Sequence, residues 1–303
     1  VRSEDFKDRW IVVVDPATGK SRVIDHLHDD AWIREAGGGR FGGSGIDFLP
    51  DGHTLWFLSE RDGWMHLYTV DAAQPGAQPV QRTSGAWEVS SVDLSTDGKS
   101  FVYVSSEVHP GERHMYVLPV AGGPAERLTT MTGSNIGTVS PDGRMIGLIH
   151  SSASKPPEVF VMPNAAGAPM QQVTTTPTDE WRSYRWVEPQ VITFKARDGV
   201  EVYARLFTPE MVGAKRDRTR PGVVFVHGAG YAQNAHKYWA SYYREYMFDH
   251  LLASRGYVVL DVDYRASAGY GRDWRTAIYR HMGGKDLDDI VDGDTRNVIA
   301  NND

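Results

Sequence analysis

The sequence predicts a partial β-propeller of about three to four blades, followed by the first half of an α/β sheet domain. Three observations carry this reading. A set of short strands recurs about every 45 residues, and near residue 189 it gives way to an alternation of buried strands and a helix. One of those strands then runs straight into glycines, as Phe225-Val226-His227-Gly228-Ala229-Gly230-Tyr231.

RWIVVVDPATGKSRVI at 9–24 reads as the last half of a blade entered partway round. FLPDG (48–52), LSTDG (94–98) and VSPDG (139–143) then repeat, each followed by an apolar strand: TLWFLS, SFVYVSS and RMIGLIHS. A second strand comes next, MHLYTV (65–70), HMYVLPV (114–120) and EVFVMP (158–163). A third marker recurs as Arg82-Thr83, Leu128-Thr129 and Val173-Thr174. Asp-Gly turns suit short antiparallel strands because glycine accepts the positive φ they need. A period near 45 residues fits four-stranded blades, whereas solenoid repeats of that length are usually helical. Three blades cannot close a ring, and closure is what protects edge strands, so upstream blades are expected.

The second half, 189–303, follows a different grammar. VITFKARDGVEVYARLFTP (191–209) reads as a hairpin about Asp198-Gly199, and EMVGAKRDRTRP (210–221) as a polar linker. YYREYMFDHLLASRG (242–256) reads as a helix that turns Tyr246, Leu251 and Leu252 toward a sheet, with Gly256 at its C-terminal end. The valines of VVLDVDYR (258–265) imply a strand covered on both faces. DLDDIVDG, from 286, reads as a helix start whose acids suit the positive end of the helix dipole.

Composition bounds the function classes. With 303 residues, 41% hydrophobic and 23% charged, the chain can bury a core of one large or two ordinary domains. A net charge of -7 without a basic tract argues against a nucleic-acid partner. The absence of cysteine excludes disulfides, thiolate catalysis and cysteine-ligated metals. It leaves the compartment open between cytoplasm, periplasm and extracellular space. No run approaches the roughly 18 apolar residues of a membrane span. The start at Val1 without a signal peptide and the abrupt end at Asn301-Asn302-Asp303 read as a piece of a longer protein.

The chemistry is expected in loops at the carboxyl ends of strands. A strand entering His-Gly-x-Gly resembles the α/β-hydrolase loop that supplies one oxyanion-hole amide, which makes the second half the N-terminal half of an α/β-hydrolase domain. Such an amide must be fixed in advance to stabilise charge on a carbonyl oxygen. The plainer reading is that the glycines only turn the chain. No G-x-S-x-G elbow is present. FGGSGID (41–47) sits on a propeller strand, and YRASAGYG (264–271) has Arg265 where an elbow needs glycine, so Ser267 reads as structural. His227 reads as part of the oxyanion loop rather than as a base, because hydrolase bases follow the nucleophile.

At this point the chain resembles the prolyl oligopeptidase family of serine peptidases, in its dipeptidyl peptidase IV-like branch. The resemblance covers nearly the whole chain and rests on SERDGWMHLYTVD (59–71), TSGAWEVSSVD (83–93), VFVHGAGYAQNAH (224–236), DVDYRASAGYGRDW (261–274) and YRHMGGKDLDDIVDG (279–293). It implies a propeller (1–188) capping an incomplete α/β-hydrolase domain (189–303), with a peptide-binding cavity between them. It also implies an acyl-enzyme mechanism that often releases dipeptides. Under it the whole protein takes a peptide substrate and no cofactor, and a homodimer is allowed. The family's oxyanion tyrosine aligns with His227, where this chain departs from the pattern. The amide of Gly228 is the preferred replacement, with Tyr231 as the alternative. Arg40 and Phe41 are the candidates for substrate contact on the 32–42 segment. The paired glutamates for the substrate amine cannot be placed, and the catalytic Ser, Asp and His are expected beyond Asp303.

Four smaller signals have plainer readings. His26, His28, Asp29 and Asp30 look metal-like but read as a solvated inter-blade loop, and no metal is expected. Asp263 and Arg265, at a strand end, are expected to pair and shape the site floor. Asp286, Asp288, Asp289 and Asp292 read as a solvated or capping set without a cation partner. Trp64, Trp87 and Trp186 read as blade packing. The whole protein is therefore expected to be a serine peptidase, with an acylaminoacyl-peptidase, an esterase or a non-catalytic binding propeller as alternatives. The chain alone is expected to be inactive.

Overall fold

The computed structural model describes residues 1–34, 45–217, 219 and 222–299. Arg40 and Phe41 lie outside the described residues.

The repeat read from the sequence becomes a stack of antiparallel sheets. A two-stranded sheet of β1 (Asp8–Val14) and β2 (Ser21–His28) opens the chain. Three four-stranded sheets follow. The first holds β3 (Ile46–Phe48), β4 (Thr54–Ser59), β5 (His66–Asp71) and β6 (Val80–Gln81). The second holds β7 (Val89–Leu94), β8 (Ser100–Ser105), β9 (His114–Pro119) and β10 (Glu126–Arg127). The third holds β11 (Ser134–Val139), β12 (Met145–Ser152), β13 (Lys155–Pro163) and β14 (Gln171–Gln172). Each is a meander of neighbours in chain order, as propeller blades are.

The markers have local causes. Gly52, Gly98 and Gly143 close the β3–β4, β7–β8 and β11–β12 turns at φ +74°, +69° and +73°, and each amide donates to the carbonyl three residues back. The threonine marker caps the blade's third strand. The hydroxyls of Thr83, Thr129 and Thr174 accept from the amides of Leu67, Met115 and Val159 at 3.0, 3.0 and 2.9 Å. Successive sheets bury apolar layers between them: Trp56, Leu58 and Leu67 against Phe101 and Tyr103, then Val104 and Met115 against Ile146 and Met162.

After the short helix α1 (Asp179–Ser183), the chain builds a fifth sheet of different grammar. The strands β15 (Gln190–Lys195) and β16 (Glu201–Phe207) form the expected hairpin, and β17 (Val223–Phe225) runs parallel to β18 (Val259–Asp263). Their order is β15-β16-β18-β17. The helix α2 (Tyr243–Ser254) packs on one face through Tyr246 and Ala253, against Phe207 and Val259. A short turn of helix, α3 (Arg272–Arg275), precedes α4 (Lys285–Gly293), which closes the other face over Leu260 and Val262. The period of two along β18 therefore sends Leu260 and Val262 to α4, and Val259, Asp261 and Asp263 to the opposite side.

Two expectations need correction here. Leu251 does not face the sheet. The buried positions of α2 are Tyr246, Asp249 and Ala253, and at about 100° per residue Leu251 falls on the solvent side, 46% exposed. Trp186 is not blade packing: it stacks on Trp181 at 4.1 Å and leans on Tyr246 of α2. Trp87 does pack in a blade layer, parallel to Tyr103. No helix among the described residues is long and apolar enough to cross a membrane.

Candidate active-site wall

Because β17 and β18 are parallel, the loops after Phe225 and Asp263 leave the sheet at the same end. They interlock. The amide of Gly230 donates to the Ala266 carbonyl, and that of Ala268 to Ala232 at 2.9 Å. Ala266 sits at φ +116°, a strained value for a residue with a Cβ.

At the root of both loops lies the carboxylate of Asp263, with no exposed side-chain surface. It accepts four hydrogen bonds: from His227 Nε2 (2.9 Å), the Asn234 amide (2.7 Å), the Ala235 amide (3.0 Å) and the Tyr270 hydroxyl (2.6 Å). A buried charge survives when its lone pairs are filled in this way. Two residues earlier on the same strand, Asp261 is held by Arg205 at 2.6 Å and by the Asn234 side chain. The two aspartates that alternate along β18 thus anchor the loop 227–236 from beneath.

His227 is equally constrained. Its Nδ1 faces the Gly228 carbonyl at 2.9 Å while Nε2 faces Asp263. Two acceptors call for two N–H donors, so the imidazolium form fits. Burial works against that charge, but the hydrogen bond and the negative charge of Asp263 outweigh it, and the pKa is raised. Tyr264 stacks on the ring and donates to the His227 carbonyl. Ser267 completes a serine–histidine–aspartate cluster, but not a proton relay. Its Oγ lies 3.4 Å from the same Nε2 that Asp263 occupies. A relay needs one ring nitrogen for each partner. The Ser267 hydroxyl instead donates to the Tyr264 carbonyl at 2.7 Å and is fully buried.

Gly228 and Tyr231, the two alternatives for an oxyanion donor, meet at one place. A Cβ on Gly228 would lie 2.1 Å from the Tyr231 hydroxyl, so only glycine lets the phenol rest there. Among the described residues the Gly228 amide has no acceptor. Tyr231 is 76% exposed and lines a cavity of about 460 Å³. The far wall of that cavity belongs to the propeller: Arg34, Glu88 and Arg113. Arg34 pairs with Glu88 at 2.8 Å, and Arg113 reaches across to Gln233 at 2.8 Å.

Asp263 and Arg265 do not pair. The strand ends at Asp263, the period of two lapses, and Arg265 swings to the other side of the sheet. There it meets Asp289 at 2.6 Å and Asp198 at 2.5 Å, which raise its pKa above the usual arginine range. The acids of α4 do have cation partners: Asp289 is buried against Arg265, and Asp288 and Asp292 hold Arg197. His26 and His28 share a face of β2 and both meet Asp8, at 2.7 and 2.8 Å. Sequence reasoning missed Asn234, Tyr270, Glu60 and Glu88. All four lie in the quoted motifs; the partners of Asn234, Glu60 and Glu88 are distant in sequence, and Tyr270 reaches Asp263 only because the chain turns back over seven residues.

Residues 4–157 match the family model of the dipeptidyl peptidase IV (DPP IV) N-terminal region, just over half of the chain, and residues 244–300 match that of the prolyl oligopeptidase family. A probable dipeptidyl peptidase 4 of Emericella nidulans is 25% identical over 301 residues, covering 93% of this chain and 37% of the relative. The dipeptidyl aminopeptidase BIII of Pseudoxanthomonas mexicana is 25% identical over 249 residues, 80% of this chain and 34% of the relative. The crystal structure of Porphyromonas gingivalis dipeptidyl peptidase 4 shares the fold, with a TM-score of 0.77 at 23% identity over 97% of this chain and 40% of that one. The chain thus spans little more than a third of the length of these curated relatives. From its first blade to α4, the chain belongs to the prolyl oligopeptidase family, in its dipeptidyl peptidase IV-like branch.

Proposed function

We propose that the protein is a serine-type peptidase that releases dipeptides from the amino end of short peptides through an acyl-enzyme. In this reading residues 1–188 form propeller and 189–303 form hydrolase, and together they supply the donor side of the oxyanion hole and one wall of the peptide cavity. The observation that carries it is the meeting of Gly228 and Tyr231 at a cavity whose opposite wall is propeller. The names of the relatives, dipeptidyl peptidases and a dipeptidyl aminopeptidase, support the class of reaction.

The chemistry follows from the parts. When a nucleophile adds to a peptide carbonyl, negative charge grows on the oxygen, and donors already in place stabilise it without reorganisation. The Gly228 amide and the Tyr231 phenol would be those donors. His227, locked as an imidazolium by Asp263, holds the loop and sets a positive charge beneath it. Neither His227 nor Ser267 takes or gives the proton of the attack, and that task falls to a triad outside the described residues.

Full-length protein with a dipeptidyl anilide and a fluorophosphonate probe tests this. Dipeptide release and labelling at a serine other than Ser267 are expected. Tyr231→Phe should lower kcat by about 10²–10³-fold if the phenol is a donor. Labelling at Ser267, or hydrolysis of acylated peptides and esters with no dipeptide released, would overturn the reading.

A further inference from the structure

The segment SERDGW (59–64) helps to identify the family, yet neither the blade core nor the cavity explains all of it. The structure shows what it touches. Glu60, at the end of β4, is 3% exposed, and its Oε1 accepts from Arg275 Nη2 and from the Arg34 amide, both at 2.7 Å. Arg275 is 2% exposed and lies over Trp32. In the same turn, the Gly63 carbonyl accepts from the Arg272 amide at 2.8 Å. Gly271, at φ +85°, comes so close that a Cβ there would sit 2.9 Å from that carbonyl and 3.3 Å from the Trp64 ring. From the next blade, Glu88 Oε1 accepts from the Gly271 amide at 3.2 Å. Five propeller contacts therefore converge on the six residues Tyr270–Arg275.

That segment leads directly to the candidate oxyanion loop. The Tyr270 hydroxyl is one of four donors to Asp263, and the other three come from His227, Asn234 and Ala235. Just upstream, the 266–268 backbone bonds to Gly230 and Ala232. Moving Tyr270 would remove a donor from a fully buried carboxylate and release the interlocked loops together. We infer that the turn Ser59–Trp64, through Glu60 and with Glu88, positions the oxyanion loop of the hydrolase part by clamping Tyr270–Arg275. The propeller is then a positioning element for the reaction as well as a wall of its cavity. The catalytic consequence rests on the peptidase reading above, while the mechanical coupling does not.

Hydrogen exchange on the full-length protein separates the two. In Glu60→Gln, the amides of 264–277 and also those of Asn234 and Ala235 should exchange about 10-fold faster, with β8 and β9 unchanged, because local opening and not global unfolding is read. Glu88→Gln, at the cavity edge, should show the same pattern at about 3-fold and serves if Glu60→Gln does not fold. In a dipeptide-release assay both variants should lower kcat, and Glu60→Gln, which lies outside the cavity lining, should keep KM within about twofold, the mark of an interaction realised in the transition state. Faster exchange confined to 270–277, with 227–235 as in the parent, would overturn the inference and leave the turn as an adhesive between parts. A parent that exchanges as expected but releases no dipeptide would sink only the peptidase reading.

Discussion

The blade stack and the carboxyl end of the fifth sheet bury comparable depths of protein by opposite means. Between blades the fully buried apolar side chains include Leu67, Phe101, Met115 and Ile146, with caps at the edges. Their contribution grows with apolar area, at roughly 25 cal/mol per Å², and is indifferent to direction. At the carboxyl end of the fifth sheet the buried charged groups are Arg205, Asp261, Asp263 and His227 beneath the oxyanion loop, and Arg265 with Asp289 on the other face. Burying charges gains little net stability, since desolvation offsets most of the attraction. What it secures is position, because each charge tolerates only the geometry that satisfies it. The propeller is built to be stable, and the loop floor is built to hold still.

Removing one charge should therefore be the most damaging single change. Arg205→Met leaves Asp261 buried and unpaired, and a loss of about 3–5 kcal/mol in chemical denaturation is expected. The double variant Arg205→Met/Asp261→Leu should recover part of it, since the apolar pair leaves no buried charge and only the Asn234 side-chain amide loses its acceptor. A double variant as unstable as the single one would refute the contrast drawn here. In the propeller, Leu67→Ala should lose about 2–5 kcal/mol, from transfer and cavity terms, and no second substitution of its neighbours should rescue it by charge.

The pH dependence of stability discriminates further. Asp249 sits on α2, 2% exposed, and burial together with the charge of Asp261 pushes its pKa up to about 7. The folded state then holds this proton more tightly than the unfolded chain does. Stability from this group is fully present below its unfolded pKa near 4 and is lost as pH rises toward 7. His227, also raised, acts in the same direction at higher pH, being charged in both states until about 6.5. Glu112, drawn down to about 2 by His114 and Lys237, acts in the opposite direction, but only below about 4.5. Across this range Asp93, Asp261 and Glu60, which burial also raises, tilt stability down with pH, and His109, His150 and His236, which burial lowers, tilt it up, while Asp249 carries a downward slope of its own. Asp249→Asn should flatten it and gain roughly 2–4 kcal/mol over the parent at pH 8. An unchanged slope would mean that Asp249 is charged in the fold.

The same contrast explains what could be read from the residues alone. Blade boundaries were legible because their causes are local: an Asp-Gly turn, two apolar strands and a threonine that caps the third strand, all within 45 residues. The loop His227–Tyr231 was legible as a site because glycines after a buried strand need a reason. The floor was not. Arg265 was expected to pair with Asp263, two residues away, and pairs instead with Asp289 and Asp198, 24 and 67 residues away. The period-two rule fails one residue beyond the strand, and composition cannot reveal such a turn. The acids of α4 were read as solvated for the same reason, since their partners Arg197 and Arg265 lie far off along the chain. Leu251 failed by phase alone, because a helix that keeps an aspartate on its buried face misleads any reading by hydrophobicity.

The smallest effects test how alike the blades are. Gly52, Gly98 and Gly143 share one conformation, so an alanine at each faces the same backbone strain, about 1–2 kcal/mol for leaving the glycine region. Their surroundings differ. Open space surrounds Gly52 and Gly143, whereas a Cβ on Gly98 would meet the Pro50 ring at 2.4 Å, from the turn of the preceding blade. If the turns are equivalent in backbone alone, Gly52→Ala and Gly143→Ala should lose the same small amount, and Gly98→Ala measurably more. Gly98→Ala should also regain the excess when combined with Pro50→Ala, because that excess is contact between blades and not conformation. Equal losses at all three positions would show that neighbouring turns do not touch in solution. The blades would then be coupled through their buried apolar layers and through the hydrogen bonds of Arg82 to Val120 and of Arg113 with Gly133 and Asn135.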